Sequence, residues 1–161
     1  MNAAFLIIDV QKAFVGHLKN ERIYEDTLAF INATSAQFRK VNQPVIVIRD
    51  IEEGDDETFN NVDELITDSK DIMLTKTFNN SFWKTDLEHI LKSRKIDFLV
   101  LAGNAAEHCI TATYFGARER GFKAVMLQHG IFADREESLI NIYYDRPLIS
   151  YSVIQVLLNQ S

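Results

Sequence analysis

Residues Asp97 to Thr113 read DFLVLAGNAAEHCITAT, and the chain's architecture follows from the way this stretch changes character. The apolar run from Phe98 to Ala102 is short and rich in Leu and Val, the pattern of a strand buried on both faces of a parallel sheet. Gly103 breaks the run, five small or polar residues follow, and then comes Cys109, the only cysteine among 161 residues. Beyond it, Ile110, Thr113, Tyr114 and Ala117 recur at helical spacing as far as Gly121, a helix stop. The spacing therefore places Cys109 where a strand gives way to a helix. Backbone N–H groups at a helix N-terminus favour negative charge, so a thiol there is expected to ionise readily. The same N–H groups suit an oxyanion. A free cysteine also serves as a small buried hydrophobe, and both readings stand at this point.

Working outward, the same alternation recurs. Ala3 to Ile8, Val45 to Ile48, Ile72 to Leu74, Ala124 to Leu127 and Leu148 to Ile149 read as strands. Between them lie a helix with apolar positions at Leu28, Ile31, Ala36 and Phe38, a helix over Ser81 to Lys92, a short one over Ser138 to Tyr143 and a closing one over Ser152 to Leu158. Arg49 to Asp63 is acidic around Gly54 and reads as an exposed loop. Strands alternating with helices predict an α/β domain of three layers, with a doubly wound, mostly parallel sheet between helices. Asp9, Asp50, Lys76, Asn104 and His129 each fall at or just after the C-terminal end of a strand, the edge where open α/β sheets bind ligands. Strand-end polar residues also cap helices and form turns, so each alone says little. Asp9, Lys76 and Cys109 together supply a carboxylate, an amine and a thiol, a complete set for acyl transfer.

Composition narrows the function class. The 17 basic and 23 acidic residues give a net charge of −6 with no long block of either sign, so neither nucleic acid nor an anionic membrane is an expected partner. The opening MNAAFLIIDV has no basic region and meets Asp9 early, so it reads as a strand and not a signal peptide. One cysteine forms no internal disulfide, which suits a reducing cytoplasm. The length suits a single domain spanning residues 1–161.

Three ordered segments resemble the isochorismatase-like cysteine hydrolases, a family that includes nicotinamidases and N-carbamoylsarcosine amidase. These are LIIDVQKAF, then Lys76 followed by Ser81, Phe82, Thr85 and Leu87, then LVLAGNAAEHCITATYFGARERGFKAVML. The resemblance implies Cys109 as nucleophile, Asp9 as the residue that takes its proton and Lys76 as the cation that stabilises the thiolate. It implies an oxyanion hole from the N–H groups of Ala105 and Cys109, with a cis peptide at Asn104–Ala105. Gln11, Phe14, Phe82 and Trp83 would belong to the substrate pocket, and Asn104 would turn its amide to the substrate. For Phe82 an ordinary core position is an equal alternative.

The sequence also departs from its relatives. Nicotinamidases place a metal-binding Asp and His just after the second strand, whereas RDIEEGDDETF has Asp50 and no histidine. His17, His89, His108 and His129 show no ligand spacing, so no metal and no cofactor are expected. His108 adjoins Cys109, but neighbours near a helix start point apart, so it is not expected to act as the base. The implied activity is hydrolysis of a C–N bond in a small amide, ureide or carbamoyl substrate. Vinyl ether hydrolysis and a non-catalytic binding module are the alternatives. Tyr143, Tyr144 and Tyr151 are candidates for the interface of a homodimer or higher homo-oligomer.

Overall fold

The computed structural model describes residues 2–159. Its centre is a sheet of six parallel strands: β1 (Ala3–Ile8), β2 (Val45–Asp50), β3 (Ile72–Lys76), β4 (Phe98–Gly103), β5 (Lys123–Ile131) and β6 (Leu148–Ile149), in the order β3-β2-β1-β4-β5-β6. Where a mostly parallel sheet was expected, every pairing is parallel. β1 lies between β2 and β4, with Ile8 opposite Ile48 on one side and Gly103 on the other. Every residue of β1 is buried, because alternate side chains enter two separate cores. Ala4, Leu6 and Ile8 pack into one, and Ala3, Phe5 and Ile7 into the other. Each fully buried Ile or Leu contributes roughly 1.5–3 kcal/mol, so the uninterrupted apolar run records a strand covered on both sides.

The helices divide between the two faces. After a four-residue turn of helix, α1 (Lys12–Val15), the long α2 (Arg22–Lys40) and the terminal α6 (Tyr151–Asn159) share a core with Phe5 and Ile7; Phe38 stacks on Phe5 at 5.5 Å between ring centroids. α3 (Leu87–Ser93), α4 (Thr111–Glu119) and α5 (Glu136–Asp145) cover the opposite face through Leu87, Leu91, Tyr114, Ala117 and Ile142. Among the described residues no helix is long and apolar enough to cross a membrane.

Three elements differ from the sequence expectation. The helix predicted to start at Ser81 starts at Leu87. Thr85 donates its hydroxyl to the Ser81 carbonyl at 2.6 Å and accepts from Leu87 N, while the Ser81 amide goes to Thr113 Oγ1 at 3.0 Å. Side-chain oxygens there satisfy backbone groups that a helix would otherwise use. β5 runs four residues past Leu127, so Gln128, His129 and Gly130 lie within it and not beyond its end. The register slips between Leu101 and Gly103, and His129 takes φ +64, so a bulge hides the strand's second half from the period-two pattern. The stretch around Cys109 is a π-type turn, Ala106–Ile110, with α4 beginning only at Thr111.

Gly103 makes the approach of β4 to β1 possible. Its φ is +115, and a Cβ there would stand 2.0 Å from the Ile8 carbonyl oxygen. Any side chain would drive the two strand ends apart where the site is assembled.

Candidate active site

Parallel strands in register deliver their following residues to one edge. Asp9 follows β1 at φ +53, Asp50 and Lys76 end β2 and β3 opposite one another, and Asn104 follows β4. The π turn then carries Cys109 back over this edge. Lys76 Nζ lies 2.9 Å from Asp9 Oδ2, 2.6 Å from Asp50 Oδ2 and 3.4 Å from Cys109 Sγ. Asp9, Asp50 and Cys109 also each offer an atom within 4.8 Å of the other two. The group is buried, with Asp9 1% and Lys76 2% exposed. It has the composition and proximity of a Cys-Asp-Lys triad, extended by Asp50.

Burial sets the charges. It lifts Asp9 from 3.8 to about 6, against the pull of the Lys76 ammonium. Burial, and then the Asp9 charge, push the Cys109 thiol up to about 12, with Lys76 opposing. For Lys76, burial disfavours the ammonium, but Asp9, Cys109 and Asp50 outweigh it and raise its pKa above the usual lysine value. Burial and the Asp9 carboxylate thus oppose the ready ionisation expected of a thiol at a helix start, while Lys76 favours it.

The peptide Asn104–Ala105 is cis. The neighbouring amides are engaged: Asn104 N donates to the Ile8 carbonyl, and Ala106 N donates to the Phe132 carbonyl at 2.9 Å. Among the described residues, the N–H groups of Ala105 and Cys109 donate to no backbone acceptor outside their own turn. Above the sulfur opens a cavity of about 380 Å³, bordered by Asp9, Phe14, Asn104, Ala105 and Cys109.

Three residues expected at the pocket stand elsewhere. Gln11 is fully buried, and its amide is consumed by main chain, donating to the carbonyls of Asp50 and Phe59 at 2.8 and 2.7 Å and accepting from Asp50 N at 2.7 Å. It braces the end of β2 and does not border the cavity. Phe82 is core, stacked on Phe122 at 5.7 Å, and Trp83 is half exposed away from the cavity. His108 lies on the cavity border paired with Asp134 at 3.3 Å. Two further residues belong to the site. Asp50 was visible as a strand-end carboxylate, and its register opposite Lys76 is what gives it a partner. Asn79, whose Oδ1 is 3.6 Å from Cys109 Sγ, lies in an irregular segment after β3 and left no periodic signal.

Comparison with known proteins identifies the family and the fold. Residues 3–137 match the family described as Isochorismatase domain. An uncharacterized isochorismatase family protein of Bacillus subtilis (strain 168), YrdC, is 27% identical over 153 residues, covering 91% of this chain and 82% of its own. A cysteine hydrolase from Pseudomonas syringae pv. phaseolicola 1448A superposes with a TM-score of 0.86 at 20% identity, covering 99% of this chain and 93% of that one. N-carbamoylsarcosine amidase from Thermoplasma acidophilum does so with a TM-score of 0.81 at 19% identity, covering 93% and 95%. A parallel sheet in this order, a thiol, ammonium and carboxylate gathered at its C-terminal edge, and a family match over most of the chain lead to one assignment: the protein belongs to the isochorismatase family of hydrolases.

Proposed function

We propose that the protein is a metal-independent cysteine hydrolase that cleaves a C–N bond of a small amide, ureide or carbamoyl compound. The observation that carries this reading is the contact of Cys109 Sγ with Lys76 Nζ at 3.4 Å beside the Asp9 carboxylate, on the floor of a cavity large enough for a small molecule. Asp9 takes the thiol proton as sulfur bonds to the carbonyl carbon, and a tetrahedral oxyanion forms. The N–H groups of Ala105 and Cys109 hold the oxyanion, with Lys76 offsetting the charge on sulfur. Asp9 passes its proton to the nitrogen, the C–N bond breaks and an amine or ammonia leaves a thioester. Water then attacks the thioester, giving one proton to Asp9, which returns it to sulfur as the acid departs. Asp50 acts through Lys76, holding the ammonium in place.

The amidase relative among the structural neighbours supports a C–N substrate, and so does a base whose proton can follow the leaving nitrogen. No metal is required, since the Lys76 ammonium already stands between the two carboxylates where a divalent ion would otherwise sit. The test is turnover of small amides and ureides by wild type and Cys109→Ala, with mass spectrometry of the intact protein. An acyl adduct on Cys109, and loss of turnover in the variant, are expected. Full activity in Cys109→Ala, or vinyl ether hydrolysis that survives thiol alkylation, would remove the covalent mechanism.

A further inference from the structure

The cavity above Cys109 is walled by carboxylates. Asp9, Asp50, Glu52, Glu53 and Asp134 all border it, together with His17 and His108, and among the described residues no Lys or Arg does. Lys76, beneath, is shared between Asp9 and Asp50 at 2.9 and 2.6 Å, so one ammonium faces two carboxylates on the floor and leaves the rim alone. The nearby Arg49 is directed to Asp55 at 2.9 Å. Among the described residues Glu52 and Glu53 enter no ion pair, and Asp134 meets only the imidazole of His108 at 3.3 Å. Deeper, Asp9 is buried at the cavity border, and among the described residues its Oδ1 has no hydrogen-bond partner beyond the Cys109 thiol.

A cleft lined by one sign of charge over a low-dielectric floor concentrates ligands of the opposite sign and repels those of the same sign. We infer that the substrate is a cation: a small amide or carbamoyl compound with an ammonium or guanidinium group a few bonds from the scissile carbonyl. Its positive end lies against Glu52, Glu53 and Asp134 while the carbonyl reaches Cys109, an assignment that rests on the hydrolase reading above. Substrates whose own carboxylates would enter this cleft are disfavoured twice, by repulsion and by the cost of stripping water from a charge that meets no partner.

Three amides of matched length separate the possibilities: 4-aminobutanamide, which is cationic, pentanamide, which is neutral, and 4-carbamoylbutanoate, which is anionic. Calorimetric binding to Cys109→Ala reads charge preference without turnover, and adduct formation on wild type reads the chemistry. The cation is expected to bind about tenfold or more tightly than the neutral amide, and the anion more weakly than either. That preference should shrink several-fold between about 20 and about 300 mM NaCl, as screening dictates. The double variant Glu52→Gln, Glu53→Gln should bring the ratio of cation to neutral binding towards one. Equal binding of all three, preference for the anion, or no measurable binding of the cation overturns the inference. Cation preference in Cys109→Ala without any adduct on wild type would leave the inference standing and defeat the hydrolase reading. Adducts formed equally well from all three amides would do the reverse.

Discussion

Asp9 is held in a state that costs stability in return for a usable base. Its folded pKa of about 6 lies above the 3.8 of a free carboxyl, so burial favours the protonated form. That contribution is fully present below pH 3.8 and is lost as pH rises through about 6. At pH 7.5 the ionised group therefore costs up to about 3 kcal/mol, and Asp9→Asn should stabilise the fold by about 1–3 kcal/mol there and by little near pH 4. Urea unfolding at the two pH values measures this, and the same variant should lose about 10³-fold in turnover. In wild type, kcat/KM should climb with pH through about 6 and then level off, because the Cys109 proton is removed only during attack. Lys76→Met has the opposite sign on stability. It leaves Asp9 and Asp50 facing each other without their cation, a loss of about 3–5 kcal/mol at pH 7.5. Asp9, Lys76 and Cys109 were legible as residue types at strand ends, whereas the partnership of Asp50 depends on strand pairing that one sequence does not display.

At the scale of elements, the strands that read most plainly are those buried on both sides. β1, β4 and the first four residues of β2 are unbroken apolar runs because each meets a core above and below. The second half of β5 was illegible because a bulge displaces its polar residues from the alternating pattern. Ser81 to Asp86 misled for a related reason: its apolar spacing suits a helix, but Thr85 and Thr113 answer its backbone groups first. Gln11 was read as a pocket residue from its motif and is instead the tie between the end of β2 and the segment after β1. Gln11→Ala should cost at least about 2 kcal/mol, since each buried group left unpaired is worth about 1–3 kcal/mol. Thermal unfolding reads that loss. A wall residue would show the contrary pattern, a changed KM with an unchanged melting temperature.

For the whole molecule, the doubly wound sheet and the two-faced core were recoverable from the alternation of strands and helices, while the strand order and exposure were not. Of the tyrosines expected at an interface, Tyr143 accepts a hydrogen bond from His129 N and Tyr151 accepts from Gln37 and Gln155; Tyr144 alone is open, at 86% exposure. It shares α5 with exposed Ile140, and α6 shows Val153 and Val156. We propose that α5 meets a second copy of the chain through Tyr144 and Ile140, so light scattering should give twice the chain mass, and Tyr144→Glu should reduce it to the monomer. A monomer at all concentrations would refute this. Treatment with a chelator should leave turnover unchanged. The attachments of the cavity rim differ in kind. The turn bearing Cys109 is bolted to the far end of β5, through Ala106 N on Phe132 O at 2.9 Å and through the Glu107 carboxylate on the amides of Asp134 and Arg135 at 3.1 and 2.9 Å. Glu52 and Glu53 hang from the opposite wall, and no such bolt joins their side chains to the sulfur. Evolution, or a protein engineer, is thus free to rewrite that wall and retune what the enzyme accepts, whereas insertions beside Phe132 would throw the nucleophile out of alignment.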